Sequence, residues 1–381
     1  MVRVVVVGNP GGPRVAGFAA ALARRGWPPP VMVPWLDVLA GHDRLAELVA
    51  AGTLVRLDSP GRDFAVERHL LARGADEPDD EDAAASHLPA GAARDLPFEK
   101  GRVLSPRQWY RGFRVVLREL AGRFPDARWL TPPADVIDLF DKRRCRARLA
   151  AAGVTVPAAV GPARSCDELL AAMHAAGRMR VFVKLACGSS GSGVVAFAVG
   201  RGRVQATTTV ELVRRAGRWL MFNSRRVRRY ETPAEVAALF DTLCPEGVVV
   251  EEWVPKAGLR DQTCDLRVLA IAGEPRHAVA RLSRTPITNL HLLNDRADAD
   301  ELRAVVPPER WDAALADCRR AAAAFAGCWH LGIDLAFTPG FRRHAVFEAN
   351  AFGDLLPGIH WNGLDTYEAQ AALLEAEGSA S

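Results

Sequence analysis

Residues 332–350 read GIDLAFTPGFRRHAVFEAN and are the most informative segment of the chain. Two apolar runs flank a Thr-Pro-Gly triplet, and Pro and Gly are typical of turns. The segment therefore predicts a β-hairpin with strands at Gly332–Phe337 and Ala345–Asn350. Because successive side chains of a strand point to opposite faces, each strand has an apolar and a polar face. The expected apolar face consists of Ile333, Leu335, Phe337, Ala345, Phe347 and Ala349.

The opposite face of the predicted hairpin carries Asp334, Glu348 and Asn350. Directly paired residues of neighbouring strands lie about 4.5–5.5 Å apart, so Asp334 and Glu348 would repel each other unless a cation lies between them. Three oxygen ligands with open positions suit Mg²⁺, which keeps several waters and binds substrate phosphates. A solvated polar face is the alternative. We interpret the three residues as a candidate metal site.

A second candidate site begins at Lys184, near the end of the predicted strand Arg180–Leu185. The loop that follows is rich in glycine and serine and consists of Gly188, Ser189, Ser190, Gly191, Ser192 and Gly193. Glycine permits positive φ and a close approach of the backbone to phosphate groups, while lysine adds a positive charge. A flexible hairpin tip would have the same composition. The chain has only four lysines, and this scarcity favours the phosphate site; they are Lys100, Lys142, Lys184 and Lys256.

Arginines lie at the ends of two predicted strands that follow each other in the chain. Arg267 is near the start of the strand Leu266–Ala272, and Arg281 and Arg284 lie around the end of the strand His277–Leu282. A short turn joins the two strands, so these ends would be adjacent. Arginines that converge there could bind phosphate or carboxylate with two parallel hydrogen bonds. In a chain this rich in arginine, solvent-exposed side chains are the alternative.

The composition limits the classes of protein that fit this chain. Its 381 residues exceed the usual size of one hydrophobic core, which predicts two or three compact units. The net charge of +4 is too small at this length to indicate a nucleic-acid or membrane surface, and no apolar run could span a bilayer. The seven cysteines include no Cys-x-x-Cys pair, so neither disulfides nor a zinc site is expected. We expect a cytoplasmic protein without nucleic-acid or membrane partners.

The N-terminal region has the pattern of a βα unit. A buried strand is predicted at Val4–Val7 and a helix at Val15–Arg25. The glycine turn at residues 8–12 lacks the spacing of dinucleotide-binding and P-loop motifs, which favours a plain turn. Prolines at residues 132 and 133 predict the end of this region, and one helix over Ala134–Ala152 is expected to follow.

Taken in order along the chain, these motifs resemble those of the ATP-grasp superfamily, in particular its glutathione synthetase-like and ribosomal-modification glutamate ligase-like branch. The resemblance covers roughly Asp135 to Tyr367. It rests on the order Lys142, Lys184 with the glycine loop, Glu251-Glu252-Trp253-Val254, Asp265-Leu266-Arg267, and the metal trio. A core strand with a charged end would also explain residues 248–254.

The resemblance implies an α/β protein with a Rossmann-like pre-ATP-grasp domain at residues 1–133, followed by an ATP-grasp fold of two α+β subdomains. The first subdomain would comprise residues 134–252 and carry the lid and the glycine loop. The second would comprise residues 253–381 and carry the metal site. Adenine would bind the backbone of Glu251, Glu252, Trp253 and Val254.

The implied activity is ATP-dependent carboxylate–amine ligation, in which an acyl phosphate forms first, an amide bond forms next and ADP is released. The substrates would be small-molecule or peptide carboxylates and amines. Lys142, Lys184 and Arg267 would neutralise the phosphates, and Mg²⁺, with Mn²⁺ as the alternative, would bind the metal trio. Candidates for the substrate carboxylate and the acyl-phosphate oxygens are Arg281, Arg284 and Asn289.

Two features depart from the family pattern. The acidic residue that usually binds the ribose follows the adenine strand by a few positions, where this chain has Lys256, Ala257 and Gly258. The ribose-binding residue therefore stays open. Asn350 is followed by Ala-Phe-Gly-Asp where the family often has Ser-x-Pro-Gly, so the substrate end differs from that of well-known members.

Two other functions fit the same motifs. A small-molecule kinase on this scaffold would need a strongly basic substrate groove, and the arginine run between Arg214 and Arg229 keeps this alternative open, although a solvated basic face also explains the run. A nucleotide-binding regulatory protein without turnover is the other alternative, and the complete set of metal ligands argues against it. The substrates and the oligomeric state are not predicted.

Overall fold

The computed structural model describes residues 3–78, 86–188, 191–288, 295–352 and 355–378. Its strands form three sheets, of which the first is parallel and the other two are antiparallel. Helices and sheets alternate in the N-terminal region, while the remainder is a mixture of antiparallel sheet and helix. Among the described residues, no helix is long and apolar enough to cross a bilayer.

The N-terminal sheet has four strands, which pair in the order β2-β1-β3-β4. The strands are β1 (Val4–Gly8), β2 (Val31–Pro34), β3 (Leu54–Leu57) and β4 (Arg128–Trp129). Its helices are α1 (Pro13–Arg24), α2 (Trp35–Ala40), α3 (Leu45–Leu48), α4 (Phe64–Arg73), α5 (Ala90–Arg94) and α6 (Pro106–Arg123). Every residue of β1 is buried, as expected for a parallel strand that is covered on both faces.

The next segment contains two helices where the sequence predicted one over Ala134–Ala152. They are α7 (Pro133–Phe140) and α8 (Lys142–Ala151), and they are separated at Asp141. The carboxylate of Asp141 accepts a hydrogen bond from the backbone N–H of Arg143 and thereby caps α8. Aspartate is a strong N-cap residue, so it starts a new helix here instead of continuing the first.

The second sheet has the order β8-β7-β6-β5-β9. Its strands are β5 (Arg180–Leu185), β6 (Val195–Gly200), β7 (Arg203–Arg215), β8 (Arg218–Tyr230) and β9 (Val248–Glu252). Two helices, α9 (Cys166–Ala175) and α10 (Pro233–Leu243), complete a separate core around Leu169, Phe197 and Phe240. The sequence analysis did not predict β6, β7 and β8, because arginine and threonine obscure the apolar alternation in the last two.

The third sheet has the order β13-β12-β11-β14-β15, with β10 added to β11. Its strands are β10 (Gly258–Leu259), β11 (Gln262–Ile271), β12 (Glu274–Ser283), β13 (Asp295–Asp298), β14 (His330–Phe337) and β15 (His344–Asn350). The helices are α11 (Ala299–Val305) and α12 (Pro308–Ala324), and α12 packs on one face of this sheet.

The third sheet and the N-terminal layer share one hydrophobic core, in which Val5, Phe113, Val268 and Ile333 are fully or almost fully buried. The last helix, α13 (Thr366–Gly378), returns to the N-terminal layer and packs against α1. The chain ends of the fold are thus held together, and the division into domains at residues 133 and 252 remains a prediction.

Candidate functional site

The predicted hairpin is present as β14 and β15, and it brings the three predicted metal ligands together. Asp334 pairs with Glu348, and Gly332 pairs with Asn350 in the antiparallel register. The side-chain amide of Asn350 donates to Oε1 of Glu348 at 3.3 Å. The two carboxylates and the amide therefore lie side by side at one end of the hairpin.

A bulge in β15 changes which residues face the core. The register shifts after Asp334, so Phe347 is an extra residue in its strand. Val346 and Ala349 belong to the hydrophobic core, whereas the ring of Phe347 lies near the ammonium groups of Lys184 and Lys256. The predicted apolar face was wrong for Phe347, because an inserted residue reverses the alternation of side chains.

Cations of the protein itself relieve the repulsion that the sequence predicted between the two carboxylates. Arg267 Nε lies 2.6 Å and Arg281 Nη2 lies 3.0 Å from Oδ1 of Asp334. Lys142 Nζ lies 3.2 Å from Oε2 of Glu348. Each carboxylate thus has its own cationic partners.

The pKa values of the two carboxyl groups move in opposite directions. Burial raises the pKa of Asp334, and the neighbouring Arg267 and Arg281 offset this only in part. Burial also acts to raise the pKa of Glu348, but Lys142 and Lys184 outweigh it and hold that pKa well below its usual range. The carboxyl group of Glu348 is therefore ionised at neutral pH, as a cation ligand needs to be.

Lys142 links the metal ligands to the glycine loop. Its position is fixed by Asp141, which caps α8, and by its own backbone N–H, which donates to the carbonyl of Ala186 at 2.9 Å. The ammonium group donates to the carbonyl of Gly188 at 2.9 Å and also contacts Glu348. The predicted phosphate lysine thus contacts both the predicted phosphate loop and the predicted metal ligand Glu348.

The described part of the glycine loop is a close turn against Leu185. A Cβ atom on Gly193 would lie 2.4 Å from Cγ of Leu185, and Gly193 has φ +69, a conformation that favours glycine. The carbonyl of Gly191 accepts a hydrogen bond from the hydroxyl of Thr209 on β7 at 3.1 Å. Larger residues would displace the loop, so its composition follows from the close packing.

Lys184 forms a buried ion pair with Glu251 of β9, with 2.6 Å between Nζ and Oε2. The two residues lie on neighbouring antiparallel strands, where Lys184 pairs with Val249. Glu251, predicted as part of the adenine strand, therefore directs its side chain toward the predicted phosphate lysine.

The end of the predicted adenine strand lies beyond β9. Glu252 forms an ion pair with Arg178 at 2.8 Å, and the ring of Trp253 lies 5.9 Å from the guanidinium of Arg180. The backbone N–H of Val254 donates no hydrogen bond to another backbone group among the described residues. A backbone donor therefore remains at the end of this strand.

A second buried network lies on β11 and β12, and the sequence analysis assigned no role to most of it. Asp265 accepts from Arg281 Nε at Oδ1 (2.7 Å) and from Lys256 Nζ at Oδ2 (2.9 Å), and it also accepts from the hydroxyl of Thr288. Burial lowers the pKa of Lys256, and Asp265 offsets this only in part. The one sequence signal that could have identified Lys256 was the scarcity of lysine.

The remaining predicted substrate residues are less well placed. Arg284 is exposed beyond the end of β12 and forms no ion pair with a described residue. Asn289, Ser189 and Ser190 lie outside the described residues. Of the predicted substrate arginines, only Arg281 belongs to the buried network.

The residues at the hairpin fit a divalent cation. Oδ1 of Asp334 is buried and receives no hydrogen bond of acceptable geometry, although cations surround it. Within the described part of the chain, no third His, Cys, Asp or Glu side chain joins Asp334 and Glu348. A set of few oxygen ligands suits Mg²⁺ better than zinc, because Mg²⁺ keeps several waters.

No family model matches the sequence, and no curated protein matches it. Among solved structures, D-cycloserine synthetase DcsG is similar at 15% identity with a TM-score of 0.57, covering 98% of this chain and 99% of that chain. The ATP-grasp ligase PsnB with a minimal precursor is similar at 16% identity with a TM-score of 0.51, covering 99% and 100%. The chain has the ATP-grasp fold.

The macrocyclase MdnB from Microcystis aeruginosa MRC shows the same similarity, at 15% identity with a TM-score of 0.51, covering 98% of this chain and 99% of that chain. The similarity covers nearly the whole chain, and the ATP-grasp fold that the sequence motifs implied is confirmed, while the Rossmann-like character of residues 1–133 stays a prediction. Within it, the second sheet carries the glycine loop and the third sheet carries the candidate metal ligands.

Proposed function

We propose that this protein is an ATP- and Mg²⁺-dependent carboxylate–amine ligase that forms an amide bond through an acyl phosphate. The observation that carries the proposal is the convergence of Lys142 on both the glycine loop and Glu348. One cation there can hold nucleotide phosphates next to a divalent metal. The same end of the hairpin adds Arg267 and Arg281, which contact Asp334.

ATP would bind between the second and third sheets. Its adenine would lie against the backbone of Glu251–Val254, where the N–H of Val254 is available. Its phosphates would lie beneath Gly188–Gly193, beside Lys142 and Lys184. Structures of PsnB are complexed with AMPPNP, and with Mg and ADP, which supports ATP and Mg²⁺ for the same fold.

Asp334, Glu348 and Asn350 would hold the Mg²⁺ ion. When bound, Mg²⁺ neutralises phosphate charge and orients the phosphates for in-line transfer. Arg267 would place its guanidinium against the phosphoryl oxygens, where negative charge is distributed during transfer. Asp334 positions this guanidinium, since it contacts Nε at 2.6 Å and accepts from Nη2 at 3.1 Å.

The glycine loop would close over the reacting groups and exclude water, which would otherwise hydrolyse the activated acid. Its substrates would be a carboxylate and an amine from small molecules or peptides. PsnB and the macrocyclase MdnC have structures with precursor peptides, whereas DcsG is a cycloserine synthetase, so both sizes of substrate occur on this fold.

The structure gives little support to the kinase alternative. The arginine run that kept it open lies on β7 and β8, where Arg214, Arg215 and Arg218 are exposed around the hairpin turn. Arg215 also pairs with Glu99, and its guanidinium lies over the ring of Phe222. The exposure of these arginines and the contacts of Arg215 favour a solvated basic face over the basic substrate groove that a kinase of this kind would need.

A screen of ADP release with pooled carboxylic acids and amines tests the proposal, with the products read by mass spectrometry. We expect an amide that forms only with ATP, Mg²⁺, an acid and an amine present together. A phosphorylated alcohol would identify a kinase instead. Binding of Mg²⁺-ATP without any turnover over broad pools would favour the regulatory protein.

A further inference from the structure

Lys256 is a buried lysine that the proposed ATP site does not use. Its backbone is fixed on the C-terminal side, because Ala257 N–H donates to the carbonyl of Phe337 at 2.7 Å and the Ala257 carbonyl accepts from Cys264 N–H at 2.9 Å. Its side chain is only 10% exposed, and the ammonium group contacts Asp265 and Thr288. The position is therefore rigid, and a flexible surface role is excluded.

The charges of the site are unevenly distributed between its two halves. In the half next to the glycine loop, each lysine has one carboxylate, since Lys142 pairs with Glu348 and Lys184 pairs with Glu251. In the other half, three cations share two carboxylates; the cations are Lys256, Arg281 and Arg267, and the carboxylates are Asp265 and Asp334. This half carries one excess positive charge.

A buried charge without a partner is unfavourable, so the excess charge favours an anion in this half of the site. Lys256 and Arg281 bind opposite oxygens of Asp265, which holds the two cations next to each other. Lys256 and Lys184 lie 5.1 and 5.7 Å from the ring centroid of the same Phe347, so the excess charge is beside the nucleotide half of the site.

We propose that Lys256 and Arg281 together bind the carboxylate of the substrate that is to be activated. This inference rests on the proposed ligase function and adds Lys256 to its substrate site. Asp265 is the positioning residue of the pair, and Thr288 is hydrogen-bonded to both Asp265 and Lys256. Arg284, which is exposed, has no part in this site.

The test measures a second anion beside a complete nucleotide. Calorimetry first gives the affinity of the full-length protein for Mg²⁺-AMPPNP, and inorganic phosphate is then titrated into that complex as an oxyanion probe. We expect wild type to bind phosphate and Lys256→Met to weaken it by at least about tenfold, while the affinity for Mg²⁺-AMPPNP stays within about twofold. Acetate should compete with phosphate in wild type, which identifies a carboxylate site.

Two control variants keep the test decisive. Lys256→Arg retains the charge and should keep phosphate affinity within about threefold, and Lys100→Met removes an exposed lysine and should match wild type. Lys256→Met should fold, because Asp265 keeps Arg281 and Thr288 as partners. Should it not fold, Lys256→Gln, which also removes the charge but keeps a polar group beside Asp265 and Thr288, gives the same comparison.

Three outcomes would overturn the proposal. Unchanged phosphate affinity in Lys256→Met would show that Lys256 binds no oxyanion. An equal loss of Mg²⁺-AMPPNP affinity would assign Lys256 to the nucleotide phosphates, and failure of acetate to compete would exclude a carboxylate. Failure of wild type to bind Mg²⁺-AMPPNP would instead refute the ATP site, and a phosphate titration of the nucleotide-free variants would still test Lys256 separately.

Discussion

The β14–β15 hairpin and the β7–β8 hairpin are both rich in charged residues, but their surroundings differ. On β14–β15, Asp334 is buried and contacts Arg267 of the neighbouring strand β11 and Arg281 of β12, the next strand in the sheet. On β7–β8, eight arginines and one glutamate occupy residues 203–230, and most of the arginines are exposed. Buried charges need partners with defined geometry, whereas exposed charges are stabilised by water.

The difference in burial indicates which charged side chains are positioned to bind a ligand. At the buried hairpin, Asp334 and Glu348 each have fixed cationic neighbours, so a ligand that binds there changes the charge balance of the whole network. At the exposed hairpin, Glu211 forms one ion pair with Arg228 and the strand β8 lies at the edge of its sheet. Arginines at an exposed edge discourage association with other strands, which is a sufficient reason for them.

The largest difference between the hairpins should appear on removal of one carboxylate from each. Asp334→Ala leaves the buried charge of Arg267 without its carboxylate partner and Arg281 with Asp265 alone, so we expect the unfolding free energy to fall by about 3–5 kcal/mol. The matched control Glu211→Ala breaks an exposed ion pair and should cost about 0–1 kcal/mol. Urea denaturation of both variants measures this, and equal losses would contradict the comparison.

Arg267→Lys tests whether geometry as well as charge matters at the buried hairpin. Lysine keeps the charge but loses the planar pair of donors, so we expect ADP release with the identified substrates to fall about 100-fold. The affinity for Mg²⁺-ATP should stay within about twofold, because the interaction is made mainly in the transition state. Arg225→Lys on the exposed hairpin is the control. A large loss of ADP release in this variant would contradict the distinction between the two hairpins.

The buried hairpin also contacts α12 through a hydrogen-bonded pair, His344 of β15 and Asp317 of α12, and the stability of this pair depends on pH. Burial acts to raise the pKa of Asp317, but hydrogen bonds from His344 and the backbone of Thr155 outweigh it and lower the pKa to about 2. Because this pKa lies below the unfolded value of 3.8, the pair stabilises the protein at neutral pH, and the stabilisation is lost as the pH falls from about 4 to about 2.

Asp317→Asn should therefore lower the unfolding free energy at neutral pH by about 2 kcal/mol and flatten the acid limb of the stability profile. Asp312→Asn, on the same helix but exposed, should leave the profile unchanged. Denaturation at a series of pH values checks both variants. An acid limb that is as steep in Asp317→Asn as in wild type would exclude Asp317 as its source.

The smallest effect is expected at the exposed hairpin. Arg225→Ala and Arg226→Ala should each change the unfolding free energy by no more than about 0.5 kcal/mol, since both side chains are exposed and form no ion pair with a described residue. Turnover and KM should match wild type. A strong rise in the KM for a hydroxyl substrate that the protein phosphorylates would revive the kinase alternative and remove the distinction between the hairpins.

Short-range patterns predicted much of the fold from the sequence. The apolar run before the glycine loop located β5 with the bounds that the structure has, and the Thr-Pro-Gly turn located the β14–β15 hairpin. The strands β7 and β8 were not predicted, because their exposed faces carry arginines in place of a regular polar alternation. Patterns of apolar residues predict a strand or helix where burial restricts its positions to apolar residues.

The residues of the candidate site and their order along the chain could be identified from the sequence alone. The reason is that a phosphate lysine, a glycine loop and oxygen ligands each have chemistry that few other residues supply. It also placed Asp334 opposite Glu348, because strand pairing follows from the turn. The roles of these motifs beyond their order came from the family resemblance.

The pairing of the charged side chains in the site could be seen in the tertiary structure but not in the sequence. Lys256 and Asp265 are nine residues apart in the chain, whereas Lys142 and Glu348 come from opposite ends of the ATP-grasp fold, and no local pattern indicates either contact. The bulge at Phe347 could not be predicted either, because the position of an inserted residue depends on how the strand pairs with its neighbour. Long-range contacts fix the electrostatics of a site, since a charge depends on everything that is packed around it.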